Sequence, residues 1–236
     1  MRLDSCLVER GLVESRNKAQ QLIKEHAVSV DGKIVDKVSF EVDEGMDVSI
    51  SDTHLYVSRA AIKLKGFLPY TGWDLRGLRA LDIGSSTGGF TQVLLEEGVE
   101  GVTCVDVGRD QLHASLRGDP RVRVHENTDI RHFTAETPFD IVTCDVAFIA
   151  IEHIIDAIDT LAGRYIVVLF KPQFEVGREA KRDKNGVVKD DRAIAKAQIR
   201  FEDMCTLKGW KLIAKEVAHI SGKEGNQEIC YGFIKG

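Results

Sequence analysis

Four aspartates and one lysine each follow a short apolar run in the larger, carboxy-terminal part of the chain. They are Asp82, Asp106, Asp129, Asp145 and Lys171. Carboxylates accept hydrogen bonds from hydroxyl and amino groups, and a lysine can take up a proton or stabilise a developing negative charge. A single such residue could be a solvated loop charge, but five at equivalent positions are expected to form one site.

A glycine-rich turn follows the first of these apolar runs. Segment 78–91 reads LRALDIGSSTGGFT and places three glycines before a helical pattern. Glycines let a ligand approach the backbone closely, and amides at the start of a helix point towards it. Ser85 and Ser86 replace the middle glycine that admits a pyrophosphate, and Asp82 would repel phosphate but attract an amine. This favours an amino-acid-bearing cofactor such as S-adenosylmethionine over a dinucleotide, with a plain strand–helix turn as the alternative.

The elements around these residues predict an α/β fold. Strands and helices alternate after residue 59, which indicates a mostly parallel sheet, and ligands bind beyond the carboxyl ends of its strands. The last two strands, within 211–236, are joined by a loop too short for a crossover, so the last strand should run antiparallel. This arrangement fits a Rossmann-like methyltransferase rather than the plain dinucleotide fold.

The positions of the acidic residues suggest contacts with a nucleoside. Asp106 follows Gly84 by 22 positions, near the ~20 at which an acidic residue contacts a ribose, with a helix N-cap as the alternative role. Asp129 lies where a carboxylate could contact an adenine amino group. The predicted cofactor-binding set is Asp82, Gly84, Ser85, Ser86, Thr87, Gly88, Gly89, Phe90, Asp106, Val107, Asp129, Ile130 and Asp145.

Residues 1–50 form a separate α+β unit in the sequence pattern. Two short helices precede a hairpin at Asp31-Gly32, a dipeptide that strongly favours a two-residue turn. The R-L-D opening, the S-R-x-x-A-x-x-L-I helix and the V-x-V-D-G-K turn resemble the S4 (alpha-L) RNA-binding module. Charge alone does not predict this, since residues 1–40 hold seven Lys and Arg against six Asp and Glu. The resemblance implies RNA contacts by Arg2, Arg10, Arg16 and Lys18.

Residues 51–58 read as a linker, and the domain that follows is expected to span 59–236. Segment 56–79 has five basic residues against one acidic residue, and it could track a phosphate backbone. Arg59 and Lys65 are therefore added to the predicted RNA-binding set. Lys63 lies on the same helix; the alternative to a functional role for it is an ordinary solvated lysine.

The polar loop 173–189 is interpreted as a substrate lid, with a flexible insertion as the alternative.

Five motifs then occur in order: D-I-G-S-S-T-G-G-F-T, C-D-V-A-F-I, F-K-P-Q-F-E-V-G-R-E, G-V-V-K-D and G-N-Q-E. With the amino-terminal unit they resemble the TlyA family of FtsJ-like ribosomal RNA 2′-O-methyltransferases, from Met1 to Phe233. The catalytic set that this resemblance implies is Lys63, Asp145, Lys171 and Glu228. Ala147 departs from the family pattern, which has serine after C-D-V.

The resemblance implies S-adenosylmethionine-dependent 2′-O-methylation of a cytidine in ribosomal RNA. The chain resembles the shorter form of the family, associated with the large subunit, although modification of both subunits is the alternative. Lys171 is expected to be the central group, which either accepts the proton of the ribose hydroxyl or stabilises the developing alkoxide. Asp145 and Glu228 would orient the lysines and limit their mutual repulsion.

Composition limits the remaining possibilities. The net charge of −5 gives no general sign of nucleic-acid binding, and the five cysteines are scattered. No metal site, signal peptide or membrane span is predicted, so we expect a cytoplasmic protein. A monomer is the favoured oligomeric state. A non-catalytic RNA-binding assembly factor and a membrane-active haemolysin are the alternative functions; the latter lacks an apolar segment.

Overall fold

The structure, a computed structural model, describes residues 1–24, 27–50 and 56–236. The described chain divides into two compact units, Met1–Val57 and Ser58–Gly236. The predicted linker 51–58 lies mostly outside the described residues. The domain limits 1–50 and 59–236 therefore stay predictions.

The amino-terminal unit contains two helices and a small sheet. Its elements are α1 (Leu3–Glu9), α2 (Arg16–Lys24), β1 (Val28–Val30), β2 (Lys33–Ile34) and β3 (Val48–Ile50). Asp31 and Gly32 have φ values of 48° and 74°, and they close the predicted hairpin between β1 and β2. β3 pairs with the other side of β1, which the sequence pattern did not predict.

The carboxy-terminal unit is built on a seven-stranded sheet with the order β6-β5-β4-β7-β8-β10-β9. Its strands are β4 (Arg79–Ile83), β5 (Gly101–Val105), β6 (Val122–His125), β7 (Phe139–Cys144), β8 (Ala162–Phe170), β9 (Trp210–Val217) and β10 (Ile229–Lys235). Its helices are α3 (Arg59–Phe67), α4 (Gly89–Glu96), α5 (Ala114–Arg117), α6 (Ile155–Leu161), α7 (Pro172–Glu175) and α8 (Asp191–Leu207). Among the described residues, no helix is long and apolar enough to cross a membrane.

The reversed last strand brings Glu228, which is distant in the sequence, close to Lys171. β4 to β8 are mutually parallel, whereas β10 is antiparallel to both β8 and β9 and lies between them. Ile229, which begins β10, pairs with Phe170, which ends β8. Glu228 and Lys171 are the next residues beyond that pair, so the reversal places Glu228 at the carboxyl ends of the parallel strands. The predicted fold class, a mostly parallel Rossmann-like sheet with an antiparallel last strand, is confirmed.

Candidate active site

Lys63 and Glu228 form a buried ion pair. Nζ of Lys63 lies 2.5 Å from Oε2 of Glu228, and the two residues are 8% and 3% exposed. Lys63 lies on the buried face of α3 with Ala61 and Leu64. The alternative of a solvated helix lysine is therefore wrong.

Lys171 and Asp145 form a second ion pair, with Nζ of Lys171 2.6 Å from Oδ1 of Asp145. Asp145 directly follows β7, and its backbone N–H donates to the carbonyl of Ile83 at 2.9 Å. Lys171 directly follows β8. All four members of these two pairs line one cavity of about 950 Å³, the larger cavity, so each lysine of the predicted catalytic set has its own carboxylate there.

Gln173 belongs to the same group, although the sequence reasoning did not select it. Its Nε2 donates to Oε1 of Glu228 at 3.1 Å, and Gln173 also lines the larger cavity. Glu228 thus accepts from Lys63 on one oxygen and from Gln173 on the other. The only available signal was its position two residues after Lys171 in the K-P-Q-F-E motif.

Glycine is required at two places in the turn for steric reasons. Gly84 has a φ of 76°, and a Cβ there would lie 2.7 Å from the carbonyl oxygen of Asp145. Gly88 has a φ of 96°, and a Cβ there would lie 2.3 Å from the side chain of Leu116. Because φ is positive at both, L side chains are disfavoured. Gly84 therefore lets the turn pack directly against the backbone of Asp145.

A second cavity, the smaller cavity, has a volume of about 510 Å³ and lies beyond the ends of β4, β5 and β7. It shares Gly84, Ser86, Asp145, Ala147 and Phe148 with the larger cavity. Its size is typical of pockets for small ligands. The two cavities together provide adjoining places for a small molecule and for a second substrate.

The donor and acceptor groups of the smaller cavity fit an adenosine-type ligand. Oδ1 of Asp106 accepts from the Gly108 N–H at 2.7 Å, and Oδ2 accepts from the Ser86 N–H at 2.8 Å. Each oxygen keeps a lone pair with which to accept from a ribose hydroxyl. The N-cap of α5 is His113, so the helix-cap alternative for Asp106 is wrong.

Asp129 lines the smaller cavity but is already bound to its neighbour. Arg131 donates to it from the backbone N–H at 2.9 Å and from Nη2 at 2.5 Å. The side-chain hydrogen bond from Arg131 is the main reason that the pKa of Asp129 is lowered to about 2. An adenine amino group would use the remaining lone pairs of this carboxylate.

Eleven of the 13 predicted cofactor residues line one or both cavities. The smaller cavity includes Gly84, Ser86, Asp106, Val107, Asp129, Ile130 and Asp145. The larger cavity includes Gly84, Ser85, Ser86, Thr87, Gly89, Phe90 and Asp145. The two exceptions are Asp82 and Gly88, and Gly88 is explained by its packing against Leu116.

Asp82 lines neither cavity, although its position in the sequence predicts a contact with a ligand amine. It is fully buried, and Oδ2 accepts from Thr91 Oγ1 at 2.7 Å while Oδ1 accepts from Thr143 Oγ1 at 3.0 Å. Burial raises the pKa of Asp82 to about 7. Its role is to tie β4 to α4 and β7 beneath the glycine turn.

Asp82→Asn is expected to reduce the loss of stability that accompanies rising pH. Between about pH 4 and pH 7 the unfolded chain releases the Asp82 proton while the folded chain keeps it, so the free energy of unfolding falls as pH rises. Above about pH 7 this cost is constant. Thermal unfolding of both proteins from pH 4 to pH 8 measures the effect, and parallel Tm curves would contradict it.

Phe148 is an exposed aromatic residue at the mouth of both cavities. It is 91% exposed, has a φ of 65°, and its ring centroid lies 5.2 Å from that of Phe174. A bulky side chain in the left-handed region is strained. Such strain is often found at ligand-binding sites, and the sequence reasoning did not select this residue.

The basic segment 56–79 is not a continuous basic patch, because its charges have separate neighbours. Two of the five basic residues donate to backbone carbonyls: Arg59 to Ser221 and Arg79 to Pro138. The other three contact carboxylates: Lys63 that of Glu228, Lys65 those of Glu96 and Glu97, and Arg76 that of Asp74. Of the two residues predicted here to bind RNA, Arg59 lines the larger cavity and Lys65 does not.

The predicted RNA-binding residues of the amino-terminal unit are exposed, but three of them have partners. Arg10 donates to the carbonyl of Met46 at 2.8 Å, while Arg2 and Arg16 both donate to Asp4. Lys18 is exposed on α2.

The loop 173–189 is tied to itself and to the site. Arg182 donates to four backbone carbonyls between Gln173 and Ala180. The Val188 N–H donates to Oδ1 of Asn226 at 2.9 Å. Arg182 also lines the larger cavity. The loop has its own hydrogen-bonded structure beside the site, and a lid role stays a prediction.

Comparison with known proteins divides the chain into two family matches. Residues 56–235 match the FtsJ-like methyltransferase family, and residues 1–48 match the S4 domain family. The 23S rRNA (cytidine-2′-O)-methyltransferase TlyA of Campylobacter jejuni is 45% identical, over 100% of both chains. The 16S/23S rRNA (cytidine-2′-O)-methyltransferase TlyA of Mycobacterium tuberculosis is 38% identical, over 96% of this chain and 87% of its own. A solved structure of a hemolysin-type protein from Streptococcus thermophilus has a TM-score of 0.74 and 31% identity, over 100% of this chain and 88% of its own.

Proposed function

This chain belongs to the FtsJ-like methyltransferase family, in its TlyA group, and from that premise we propose that it methylates the 2′-oxygen of a cytidine in ribosomal RNA. S-adenosylmethionine is the proposed methyl donor. Residues 1–50 would act as the RNA-binding domain and residues 59–236 as the catalytic domain. The single observation that carries the proposal is the pair of Lys–carboxylate contacts in the larger cavity, next to a smaller cavity that fits an adenosine.

The smaller cavity is the proposed site of the cofactor. Asp106 would accept from the ribose hydroxyls and Asp129 from the adenine amino group, while Val107 and Ile130 supply apolar surface. When bound, S-adenosylmethionine supplies an electrophilic methyl group. Gly84, Ser86 and Asp145 line both cavities, so they would lie nearest the reacting atoms.

The residues of the larger cavity would position the ribose hydroxyl. Asp145 holds Nζ of Lys171 at 2.6 Å, which fixes the position of the lysine side chain in the larger cavity. Lys171 would donate a hydrogen bond to the 2′-oxygen and stabilise the negative charge that develops there. The proton of the ribose hydroxyl would leave to water at the mouth of the larger cavity. Glu228 holds Lys63 in the same way, and Gln173 fixes the second oxygen of Glu228. Orientation of the hydroxyl is the main contribution of this group, because aligned reactants gain several kcal/mol.

The large ribosomal subunit is the proposed target. The 45% identical relative is named for 23S rRNA, and the 38% identical relative for both 16S and 23S rRNA. Labelled S-adenosylmethionine incubated with separated subunits, followed by ribose-methylation mapping, tests both the reaction and the target. Label in neither subunit, nor in free ribosomal RNA, would defeat the proposed function.

Phe148 and Phe174 are proposed to stack on the unpaired target base. Proteins that read single-stranded RNA stack its bases on aromatic side chains. The pair stands at the mouth of the larger cavity, where the base attached to the reacting ribose would lie.

Phe148→Ala is expected to lower kcat/KM for ribosomal RNA by roughly 5- to 150-fold, because base stacking on one aromatic ring contributes about 1–3 kcal/mol. Phe148→Tyr keeps the ring and should retain most activity. Because Phe148 also lines the smaller cavity, binding of S-adenosylhomocysteine is measured by calorimetry, and in the alanine variant it should fall by less than kcat/KM for RNA. Equal kcat/KM for the alanine and tyrosine variants would contradict the stacking role.

A further inference from the structure

A buried carboxylate holds two arginines in the amino-terminal unit. Asp4, on α1, is 0% exposed, whereas the side chains of Arg2 and Arg16 are 46% and 56% exposed. Arg2 donates from Nε to Oδ1 at 3.0 Å and from Nη2 to Oδ2 at 3.3 Å. Arg16 donates from Nη2 to Oδ2 at 2.8 Å, and Gln20 donates to the same oxygen at 2.9 Å. Asp4 thus accepts four hydrogen bonds from three side chains.

The pKa of Asp4 lies far below its usual range, and the hydrogen bond from Arg2 makes the largest contribution to this lowering. The carboxylate is therefore ionised at neutral pH. Its neighbours on α1, Leu3 and Leu7, belong to the apolar core of the unit. Replacing a buried ion pair by apolar residues is often neutral or stabilising, so the pair is weak evidence for a role in stability. What the carboxylate does fix is the orientation of two exposed cations.

The two guanidinium groups share one carboxylate oxygen. Their Nη2 atoms both contact Oδ2 of Asp4, so these two atoms lie within about 6 Å of each other. Without the carboxylate, two like charges at that separation repel. Arg2 uses its Nε–Nη2 edge on Asp4, which leaves the Nη1 edge of its five-donor fork pointing away from the carboxylate. Both forks are therefore oriented before any ligand arrives.

We propose that Asp4 is a positioning residue that holds Arg2 and Arg16 as a preformed pair for the phosphate groups of an RNA strand. The proposal rests on the RNA substrate of the proposed function and adds the residue that organises its capture. Planar guanidinium groups recognise phosphate through paired hydrogen bonds. An arginine pair that is already ordered loses less side-chain entropy on binding than two free side chains.

Binding of the full chain to a ribosomal RNA fragment tests the proposal, because two roles of Asp4 predict opposite signs. Asp4→Asn makes the formal net charge of −5 one unit more positive, so a purely electrostatic role predicts tighter binding. Positioning predicts that Kd rises about tenfold, as expected when one charge-assisted hydrogen bond is removed. The slope of log K against log salt should also become shallower by roughly 0.7–0.9 for each phosphate group that the variant no longer neutralises. KM for RNA should rise, with kcat and KM for the cofactor unchanged.

Asp74→Asn is the matched control for the change in charge. Asp74 is an exposed aspartate of the carboxy-terminal unit that accepts from Arg76 at 2.9 Å and 2.6 Å. Its replacement adds the same charge, and we expect RNA binding to be unchanged or slightly tighter.

Arg16→Lys covers the case in which Asp4→Asn unfolds the amino-terminal unit. It keeps the positive charge and leaves Asp4 paired with Arg2, but it removes the planar fork. We expect Kd to rise severalfold with an unchanged circular-dichroism melt.

Two results would overturn the positioning role. One is equal or tighter RNA binding by a folded Asp4→Asn chain, and the other is full binding by Arg16→Lys. Failure of the proposed function is distinguishable, since the wild-type chain would then transfer no methyl group to RNA that it still binds. A wild-type chain that binds no ribosomal RNA would overturn both.

Discussion

Lys171→Met is expected to lower kcat for methyl transfer by about a thousandfold, with little change in cofactor affinity. Lys171 contacts Asp145 at 2.6 Å in the larger cavity, and methionine fills similar space without an ammonium group. Removing one group that stabilises a developing oxyanion, or that handles its proton, costs about 10²- to 10⁴-fold in rate. Single-turnover transfer of a labelled methyl group to ribosomal subunits measures this decrease.

Lys208→Met is the matched control for this variant. Lys208 lies 2.6 Å from Asp156, the same separation as between Lys171 and Asp145, but neither residue lines the two cavities. Its replacement should leave kcat unchanged. Full methylation by Lys171→Met would contradict the catalytic role of Lys171.

Glu228→Leu is expected to destabilise the carboxy-terminal unit by about 3–5 kcal/mol and to abolish activity. Lys63 is 8% exposed and 2.5 Å from Glu228, so the substitution leaves a buried ammonium without its carboxylate. Gln173 is also left without its acceptor. Urea unfolding, together with the methylation assay, measures both effects.

Combining Lys63→Met with Glu228→Leu separates stability from catalysis. Two apolar side chains of similar volume remove both charges, and such replacements are often neutral or stabilising. We therefore expect the double variant to regain most of the free energy of unfolding while activity stays absent. Recovery of activity with stability would show that the pair is structural only.

Lys215→Met is the matched control for the effect of burial on stability, because it breaks an ion pair that is partly exposed. Nζ of Lys215 lies 2.7 Å from Oε1 of Glu202, and these side chains are 37% and 34% exposed. Because solvent screens such a pair, its removal should cost at most about 1 kcal/mol.

Local patterns predicted the parts of the site that are contiguous in the chain. Gly84 and Asp106 follow apolar strands, and the spacing of Asp31-Gly32 within alternating residues specified a hairpin. These signals are readable because strand ends and tight turns depend on a few neighbouring residues. Lys171 and Asp145 were likewise placed at one sheet edge by strand polarity alone.

Burial and partner choice were not readable in the same way. Asp82 lies within β4, whereas Asp106 follows β5, and the carboxyl of Asp82 accepts from Thr91 and Thr143 beneath the turn. Segment 56–79 was expected to be a basic patch, but acids distant in sequence, such as Glu228 and Glu97, neutralise parts of it. Phe148 gave no signal, since no local pattern records its exposure or its positive φ.

The sequence by itself determined the family, the two folding units and the strand ends that carry Asp145 and Lys171, because contiguous motifs encode them. Only the tertiary structure decided that Lys63 meets Glu228 across 165 positions and that Asp4 gathers two arginines. The physical reason is that the pairing of β10 between β8 and β9, and the burial of charges, depend on contacts between distant segments. Arg2 lies only two positions from Asp4, but no local pattern records that Asp4 is buried and also binds Arg16.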